Sequence, residues 1–290
     1  MLYDYIANPY YSIKNDKLFY LDNIKICNLS ENRVINEKIL YDEGALLKEI
    51  SYNKKTKNVL VLEPHPDDFS LSALGYVFNK YDAIVLNIFS KTALKNFPWI
   101  ESKKIDSDFY EKLRIDESKL CIEKLLKQKF ISTRLESLRI TKKPKETINE
   151  IILENIKKII NENKISTIMF PMGIGNHPDH LLIYDILLQN YNLFKDFNII
   201  LYPEYPYSRC KEAYSERIKK VKKDFILSNE LIDVKDKIEH FSNAIISYRS
   251  QFNEINRKQM EAIIREDTWA IATDFKKENE SLIYYKCERK

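Results

Sequence analysis

From residue 59 onward, short apolar runs alternate along the chain with longer segments of helical periodicity. The runs are rich in Val, Ile, Leu and Phe, which is typical of strands buried on both faces of a parallel sheet. We predict strands at residues 59–63, 82–89, 165–170, 198–202 and 281–285. Apolar residues at three- and four-residue spacing predict helices over 70–79, 108–128, 147–161, 179–189, 209–224 and 235–264. This alternation predicts an α/β protein, a Rossmann-like layered fold with a mostly parallel central sheet flanked by helices.

The first 57 residues have a different pattern. Short Tyr- and Ile-rich runs at 17–21 and 24–27 are separated by Asn, Asp and Ser, which indicates small strands and turns. A polar stretch at 52–58 resembles a linker. We therefore predict a small β-rich N-terminal appendage over residues 1–57, without an assigned role, and one main domain over 58–290.

Composition excludes several classes of function. The net charge is only +4, so we expect no nucleic-acid partner. Four glycines cannot supply a Gly-rich dinucleotide loop, which disfavours NAD or FAD. The four cysteines are scattered and predict free thiols in a reducing compartment. The sequence has no recognisable signal peptide and no apolar run near the length of a membrane span, so we predict a cytoplasmic protein.

Three of the four histidines lie in two short clusters, at residues 64–68 and 176–180. Each cluster follows a predicted strand. Ligands of open α/β sheets bind outside the carboxyl ends of the strands, so the two clusters are expected to converge on one site. His240, the remaining histidine, lies in a helical pattern and is interpreted as structural.

The residue types in the clusters favour a hydrolytic zinc site. Imidazole and carboxylate groups bind zinc, and a catalytic zinc uses three protein ligands and a water molecule. Asp67 and Asp68 are adjacent and point different ways, so one can ligate while the other acts as base. If a helix begins at the second cluster, His177 and His180 share one face; one can ligate and the other can donate a proton. Asp179 could orient an imidazole ring.

Each cluster also has a purely structural interpretation. An Asp pair after a strand commonly caps a helix, and an isolated His-x-x-His commonly lies on a surface. Both clusters, however, follow strands and share a His-Pro-Asp core. The combination favours a shared metal site.

The ordered pair His65-Pro66-Asp67-Asp68 and His177-Pro178-Asp179-His180 resembles the two motifs of the LmbE-like superfamily of zinc-dependent deacetylases. That superfamily includes the N-acetylglucosaminyl-phosphatidylinositol de-N-acetylases. Weaker similarities at 114–117, 202–207 and 248–251 extend the resemblance over about residues 59–252. Phe69 stands where the family often has Glu, and Pro64 where many members have Ala.

The resemblance implies a role for each matching residue. The implied ligands of one Zn²⁺ per chain are His65, Asp68 and His180. Asp67 is the implied general base. His177, oriented by Asp179, is implied to stabilise the oxyanion and to protonate the departing amine. The implied fold is the Rossmann-like layered fold already predicted from the alternation of strands and helices.

The resemblance further implies a hydrolase that removes an N-acetyl group from an amino sugar or amino-sugar conjugate through metal-activated water. The expected partner is that small molecule, and homo-oligomerisation is left open. Candidate substrate-binding residues are Tyr202, Tyr205, Tyr207 and Arg114. Core packing is the alternative for the tyrosines, and an ion pair with Glu111 or Glu117 is the alternative for Arg114.

Two other functions remain as alternatives. A metal-dependent phosphoesterase also places His and Asp clusters at strand ends, but it commonly holds two metals. A non-catalytic, metal-holding sugar-binding module is the other. An intact Asp67 beside the ligands argues against that module, since a closed structural site has no use for a base.

Overall fold

Two β-sheets organise the part of the chain that the computed structural model describes, namely residues 11–14, 17–20, 24–28, 58–78, 80–92, 107–252, 257–274 and 280–290. The smaller sheet is antiparallel and contains β1 (Tyr11–Lys14), β2 (Lys17–Tyr20) and β3 (Ile24–Asn28). Strands β2 and β3 fall at the two runs that predict small strands, 17–21 and 24–27, whereas β1 lies outside those runs. The proposed boundary near residue 57 and residues 52–57 of the proposed linker lie outside the described residues, whereas Asn58, the last linker position, begins β4.

The larger sheet has seven strands in the order β6-β5-β4-β7-β8-β10-β9. Its strands are β4 (Asn58–Glu63), β5 (Asp82–Lys91), β6 (Lys129–Glu136), β7 (Ile165–Pro171), β8 (Asn198–Tyr202), β9 (Phe225–Asp233) and β10 (Ser281–Arg289). The strands from β6 to β8 are parallel, whereas β10 runs antiparallel to both β8 and β9. The predicted α/β fold with a mostly parallel sheet is therefore confirmed.

Helices lie between the strands of the large sheet along the chain. They are α1 (Leu74–Val77), α2 (Ser107–Lys119), α3 (Lys145–Glu162), α4 (Pro178–Gln189), α5 (Tyr191–Phe194), α6 (Lys211–Asp224), α7 (Ile238–Ile246), α8 (Arg249–Phe252) and α9 (Arg257–Asp274). A π-helical turn, Phe69–Ala73, leads into α1, and another, Leu120–Leu125, continues α2. None of the described helices is long and apolar enough to cross a membrane.

The core forms one apolar layer on each face of the large sheet. Alternate residues of β4 point to opposite layers: Val59 and Val61 to one, Leu60 and Leu62 to the other. All four are fully buried, and each such side chain stabilises the fold by about 1.5–3 kcal/mol. Helix α3 covers the second layer with isoleucines at helical spacing, Ile148, Ile152, Ile156 and Ile159.

One predicted helix, over residues 235–264, is wrong. The chain instead forms a 3₁₀ turn (Lys235–Lys237) followed by α7, α8 and α9. The break after α7 has a physical cause, because Ser250 donates from both its backbone N–H and its hydroxyl to the buried carboxylate of Glu117, at 2.7 and 2.5 Å. The periodic pattern could not reveal this contact with a residue 133 positions away.

Candidate active site and metal centre

The two His/Asp clusters meet at the carboxyl ends of β4 and β7, which are parallel neighbours in the sheet. The first cluster lies in the loop after β4, and the second begins α4 after the 3₁₀ turn Ile174–Asn176. A cavity of about 460 Å³ opens between them. The predicted site residues that line this cavity are His65, Asp67, Asp68, Arg114, His177, His180, Tyr205 and Tyr207. Asp179 lies behind the cavity wall and is fully buried.

Three donor atoms stand at metal-ligand spacing. His65 Nδ1 lies 3.5 Å from Asp68 Oδ2, and His180 Nε2 lies 3.4 Å from that same oxygen. The two nitrogens are 3.2 Å apart. Donors about 2.1 Å from a tetrahedral zinc ion are separated by roughly 3.4 Å, so His65, Asp68 and His180 fit such an ion. Nitrogens of His65, His177 and His180 form a looser group within 4.8 Å, so the set that includes Asp68 fits better.

The carboxylate of Asp179 pairs with the ring of His65 rather than with the expected ring of His177. Its Oδ2 lies 2.8 Å from His65 Nε2, whereas His177 Nδ1 is 4.0 Å away. Its other oxygen accepts the backbone N–H of Leu138 at 2.8 Å, which fixes the carboxylate. When the Nε2 proton of His65 is held by Asp179, the Nδ1 atom carries no proton and faces the other two metal-ligand atoms. Carboxylates orient metal-binding histidines in this way.

Glu204 plays the same part for His180, and the sequence reasoning missed it. The Glu204 carboxylate, fully buried after β8, lies 3.1 Å from His180 Nδ1. It also accepts the backbone N–H groups of Met172, Gly173 and Ile174 at 3.2, 2.5 and 3.4 Å. Every group around this carboxylate is thus a donor, and the ring nitrogen of His180 that faces the cavity remains an acceptor.

Charge around His65 and Asp68 favours a cation. Burial opposes a charge on His65, but the hydrogen bonds to Asp179 and Asp68 raise its pKa to about 9. Burial would raise the pKa of Asp68, yet the facing His180 and His65 lower it to about 2. The space between the His65 ring and the Asp68 carboxylate therefore favours positive charge, and a metal ion is attracted there as a proton is.

Asp67 stands beside the donor set in a strained backbone conformation. Its φ is +119°, which L-residues with a side chain rarely adopt and which costs on the order of 1–3 kcal/mol. Arg114 Nη2 lies 3.0 Å from Asp67 Oδ1 and also donates to the carbonyl of Pro66. Burial raises the pKa of Asp67 to about 6, although Arg114 acts in the opposite direction. A carboxylate with a pKa near neutrality is suited to general-base work.

Arg114 differs from its structural interpretation as a helix-surface residue paired with Glu111 or Glu117. The side chain is buried rather than on a helix surface, and its ion-pair partner is Asp67. The guanidinium still contributes to the cavity wall, so the prediction that it binds substrate stays a prediction.

His177 is held as a neutral ring. Burial lowers its pKa to about 4, and the nearby His65 and His180 act in the same direction. Its Nδ1 accepts the backbone N–H of Asp179 at 3.3 Å, which caps α4. The ring proton therefore lies on Nε2. This arrangement fits a neutral hydrogen-bond donor and differs from the protonated acid that the resemblance implies.

The tyrosines of residues 202–207 divide between core and cavity. Tyr202 is fully buried and donates to the carbonyl of Leu62 at 2.7 Å, which confirms core packing for that residue. Tyr205 and Tyr207 line the cavity, and the Tyr207 ring meets His180 edge-on at 5.8 Å. Gly175 makes this packing possible, because a Cβ there would come within 2.8 Å of the Tyr207 ring.

His240 and the described cysteines, all outside the site, match their structural interpretations. The His240 ring stacks on Phe78 at 5.4 Å. Cys121, Cys210 and Cys287 are free thiols in the described part of the chain, as predicted.

Comparison with known proteins finds a family match over the segment that contains this site. Residues 60–191 match the family model of PIG-L, described as GlcNAc-PI de-N-acetylase. A search among curated protein sequences found no match. The matched segment contains both His/Asp clusters, most of β4, and the whole of β5 and β7.

Solved structures share the fold at low sequence identity. The A40926 pseudoaglycone deacetylase Dbv21 is 19% identical, with a TM-score of 0.63 over 81% of this chain and 98% of that one. The N,N′-diacetylchitobiose deacetylase of Pyrococcus horikoshii is 17% identical, with a TM-score of 0.55 over 80% and 84%. The hydratase GalB of Pseudomonas putida KT2440 is 11% identical, with a TM-score of 0.56 over 80% and 96%. The family match over residues 60–191 and this shared fold confirm the resemblance to the PIG-L, or LmbE-like, family.

Proposed function

We propose that this protein is a zinc-dependent N-deacetylase that removes the acetyl group from an N-acetylated amino sugar or amino-sugar conjugate. The observation that carries the proposal is the set of three donors at 3.2–3.5 Å spacing with the strained, buried Asp67 beside it. The PIG-L match supports the same reaction. The two structural neighbours named as deacetylases support it only through the fold.

The proposed metal ligands are His65 Nδ1, Asp68 Oδ2 and His180 Nε2, with one Zn²⁺ per chain. A bound zinc ion would polarise the acyl carbonyl and make a water molecule more acidic. Asp179 and Glu204 keep the two imidazoles in the tautomers that ligation requires.

Asp67 is the proposed general base. Its carboxylate accepts the proton of the attacking water and passes it to the amide nitrogen, so that the C–N bond breaks to give acetate and a free amine. Arg114 fixes the direction of this carboxylate and keeps it ionised near neutral pH.

His177 is the proposed stabiliser of the oxyanion. Its Nε2–H is free to donate into the cavity because Nδ1 is already occupied by the amide of Asp179. A neutral ring can give this hydrogen bond throughout the pH range in which Asp67 is ionised. Tyr205 and Tyr207 supply an aromatic wall on which a sugar ring can stack.

The rival functions fit the geometry less well. Among the described residues, one group of possible metal ligands lines the cavity, namely His65, His177 and His180, with Asp68 in contact with His65 and His180. A two-metal phosphoesterase needs additional carboxylates. A metal-holding binding module leaves the strained Asp67 unexplained. The fold also occurs in a hydratase, so fold alone does not assign the reaction.

A release assay on a substrate panel tests the proposal. Purified protein loaded with Zn²⁺ is incubated with N-acetylated sugars, free and conjugated, and with phosphomonoesters. We expect acetate and a primary amine in equal amounts from at least one N-acetyl sugar and no phosphate. Phosphate release without acetate would overturn the proposal in favour of the phosphoesterase, and release of neither would favour the binding module.

A further inference from the structure

Glu63 is a fully buried acid that the proposed reaction does not use. It is the last residue of β4, directly before the loop that carries His65, Asp67 and Asp68. The preceding four residues of β4 are apolar and fully buried, so an apolar side chain would extend the core without desolvating a carboxyl group.

The carboxyl group of Glu63 binds the backbone of the loop that follows β4. Its Oε1 accepts the backbone N–H of Asp67 at 3.3 Å and that of Phe69 at 3.1 Å. One oxygen atom thus holds the chain on both sides of Asp68. Its Oε2 is buried and has no hydrogen-bond partner among the described residues.

Other contacts hold the loop elsewhere. The backbone N–H of His65 donates to Asp68 Oδ2 at 2.8 Å, and Arg114 holds the Asp67 carboxylate. The backbone amide of Asp67 itself is held by Glu63. Because Asp67 has a φ of +119°, release of that amide would let the backbone relax and turn the carboxylate away.

We propose that Glu63 is a positioning residue whose acceptor oxygen holds the Asp67–Asp68 loop in its strained, reactive conformation. This inference rests on the proposed deacetylase reaction, because it assigns Asp67 as the base and Asp68 as a ligand. Glu63 acts through these two residues and does not touch the substrate, since it does not line the cavity.

Three substitutions of Glu63 test whether its acceptor oxygen, rather than the size or charge of the side chain, is responsible for the effect. Glu63→Gln keeps an acceptor at the same reach, Glu63→Met fills the same space without an acceptor, and Glu63→Asp withdraws the acceptor by one methylene. For each variant, kcat and KM for acetate release are measured together with the affinity for Zn²⁺ in a chelator competition. The Zn²⁺ affinity separates this inference from the proposed function, because it can be measured even if no N-acetyl sugar is hydrolysed.

We expect Glu63→Gln to match the unsubstituted protein in kcat and Zn²⁺ affinity. Glu63→Met and Glu63→Asp should lower kcat by roughly 100-fold with little change in KM, because the base is misplaced and the substrate wall is intact. Their Zn²⁺ affinity should fall about 10-fold through Asp68. If Glu63→Met does not fold, the comparison of kcat and Zn²⁺ affinity between Glu63→Asp and Glu63→Gln decides.

Normal kcat and Zn²⁺ affinity in Glu63→Met or Glu63→Asp would overturn the proposal. Equal losses in Glu63→Gln and Glu63→Met would overturn it as well, because the acceptor oxygen would then not be the cause.

Discussion

At the scale of single residues, the site combines groups that a motif reveals with groups that it does not. The two clusters, more than 100 positions apart, could be joined from sequence because both follow buried strands and contain a His-Pro-Asp core. Glu63 gave no motif signal, and Glu204 had no assigned role within the weaker similarity at 202–207. The sequence shows only that each of these acids lies at or near the end of an apolar strand. Their roles become visible only when the backbone N–H groups that they bind are known. The partner of Asp179 was likewise decided by packing rather than by spacing.

Arg114 should set the pH at which kcat/KM falls on the acid side of the pH–rate profile, called the acid limb below. It lowers the pKa of Asp67, so Arg114→Gln should raise that pKa and move the fall of kcat/KM on the acid side to higher pH. Arg114→Lys keeps the charge and should leave the limb nearly in place, although the ion-pair geometry is weaker. A control, Arg265→Gln, removes an exposed arginine paired with Glu280 and should change nothing. A raised KM with an unmoved limb in Arg114→Gln would instead support substrate binding.

Glu204 should matter for the metal more than for the substrate. The carboxylate of Glu204 accepts hydrogen bonds from backbone N–H groups and faces the His180 ring. In Glu204→Gln, the NH₂ group would replace one of these acceptor oxygens and would face other hydrogen-bond donors. We expect Zn²⁺ affinity to fall about 10- to 100-fold, measured by chelator competition. Glu216→Gln, an exposed change on α6, is the control. Unchanged affinity in Glu204→Gln would remove Glu204 from the metal centre.

At the scale of elements, periodicity located the helices and strands that are buried on one or two faces. It missed β6 and β9, the two edge strands, because they are only partly buried and their apolar pattern is weak. It also merged α7, α8 and α9, and it could not reveal the hydrogen bonds from Ser250 to the distant Glu117, which accompany the break between α7 and α8. The 3₁₀ turn before α4 depends on Gly173 and Gly175, both at positive φ.

Gly175 should set the shape of the substrate wall. Alanine at φ +75° is strained, and its Cβ would displace the Tyr207 ring. Gly175→Ala should destabilise the fold by about 1 kcal/mol or more and raise KM while metal content and kcat are kept. Combining it with Tyr207→Leu in a double-mutant cycle should give a non-additive KM effect. Additive effects would mean that Gly175 does not act through Tyr207.

At the scale of the whole molecule, the alternation of strands and helices predicted the layered sheet, since each apolar run must be covered on both faces. The strand order was not predictable in full, because β10 returns from the end of the chain to lie between β8 and β9. The two apolar layers surround the sheet on both faces without using any residue of the metal centre.

Removal of metal should therefore abolish activity but not the fold. After chelation we expect far-ultraviolet circular dichroism to be retained, the unfolding temperature to fall, and activity to return with Zn²⁺. Binding at 100 times the dissociation constant adds about 3 kcal/mol of stability, which the fold can lose. Loss of secondary structure on chelation would indicate a structural metal.

The most direct test of the central claim compares acetate release by the unsubstituted protein and by Asp67→Asn at equal zinc content. Asn keeps the size of the side chain but cannot accept a proton at neutral pH. We predict one zinc ion per chain in both proteins and a kcat that is lower by about 100- to 10,000-fold in Asp67→Asn. Equal rates of acetate release at equal zinc occupancy would contradict the assignment of Asp67 and, with it, the proposed mechanism.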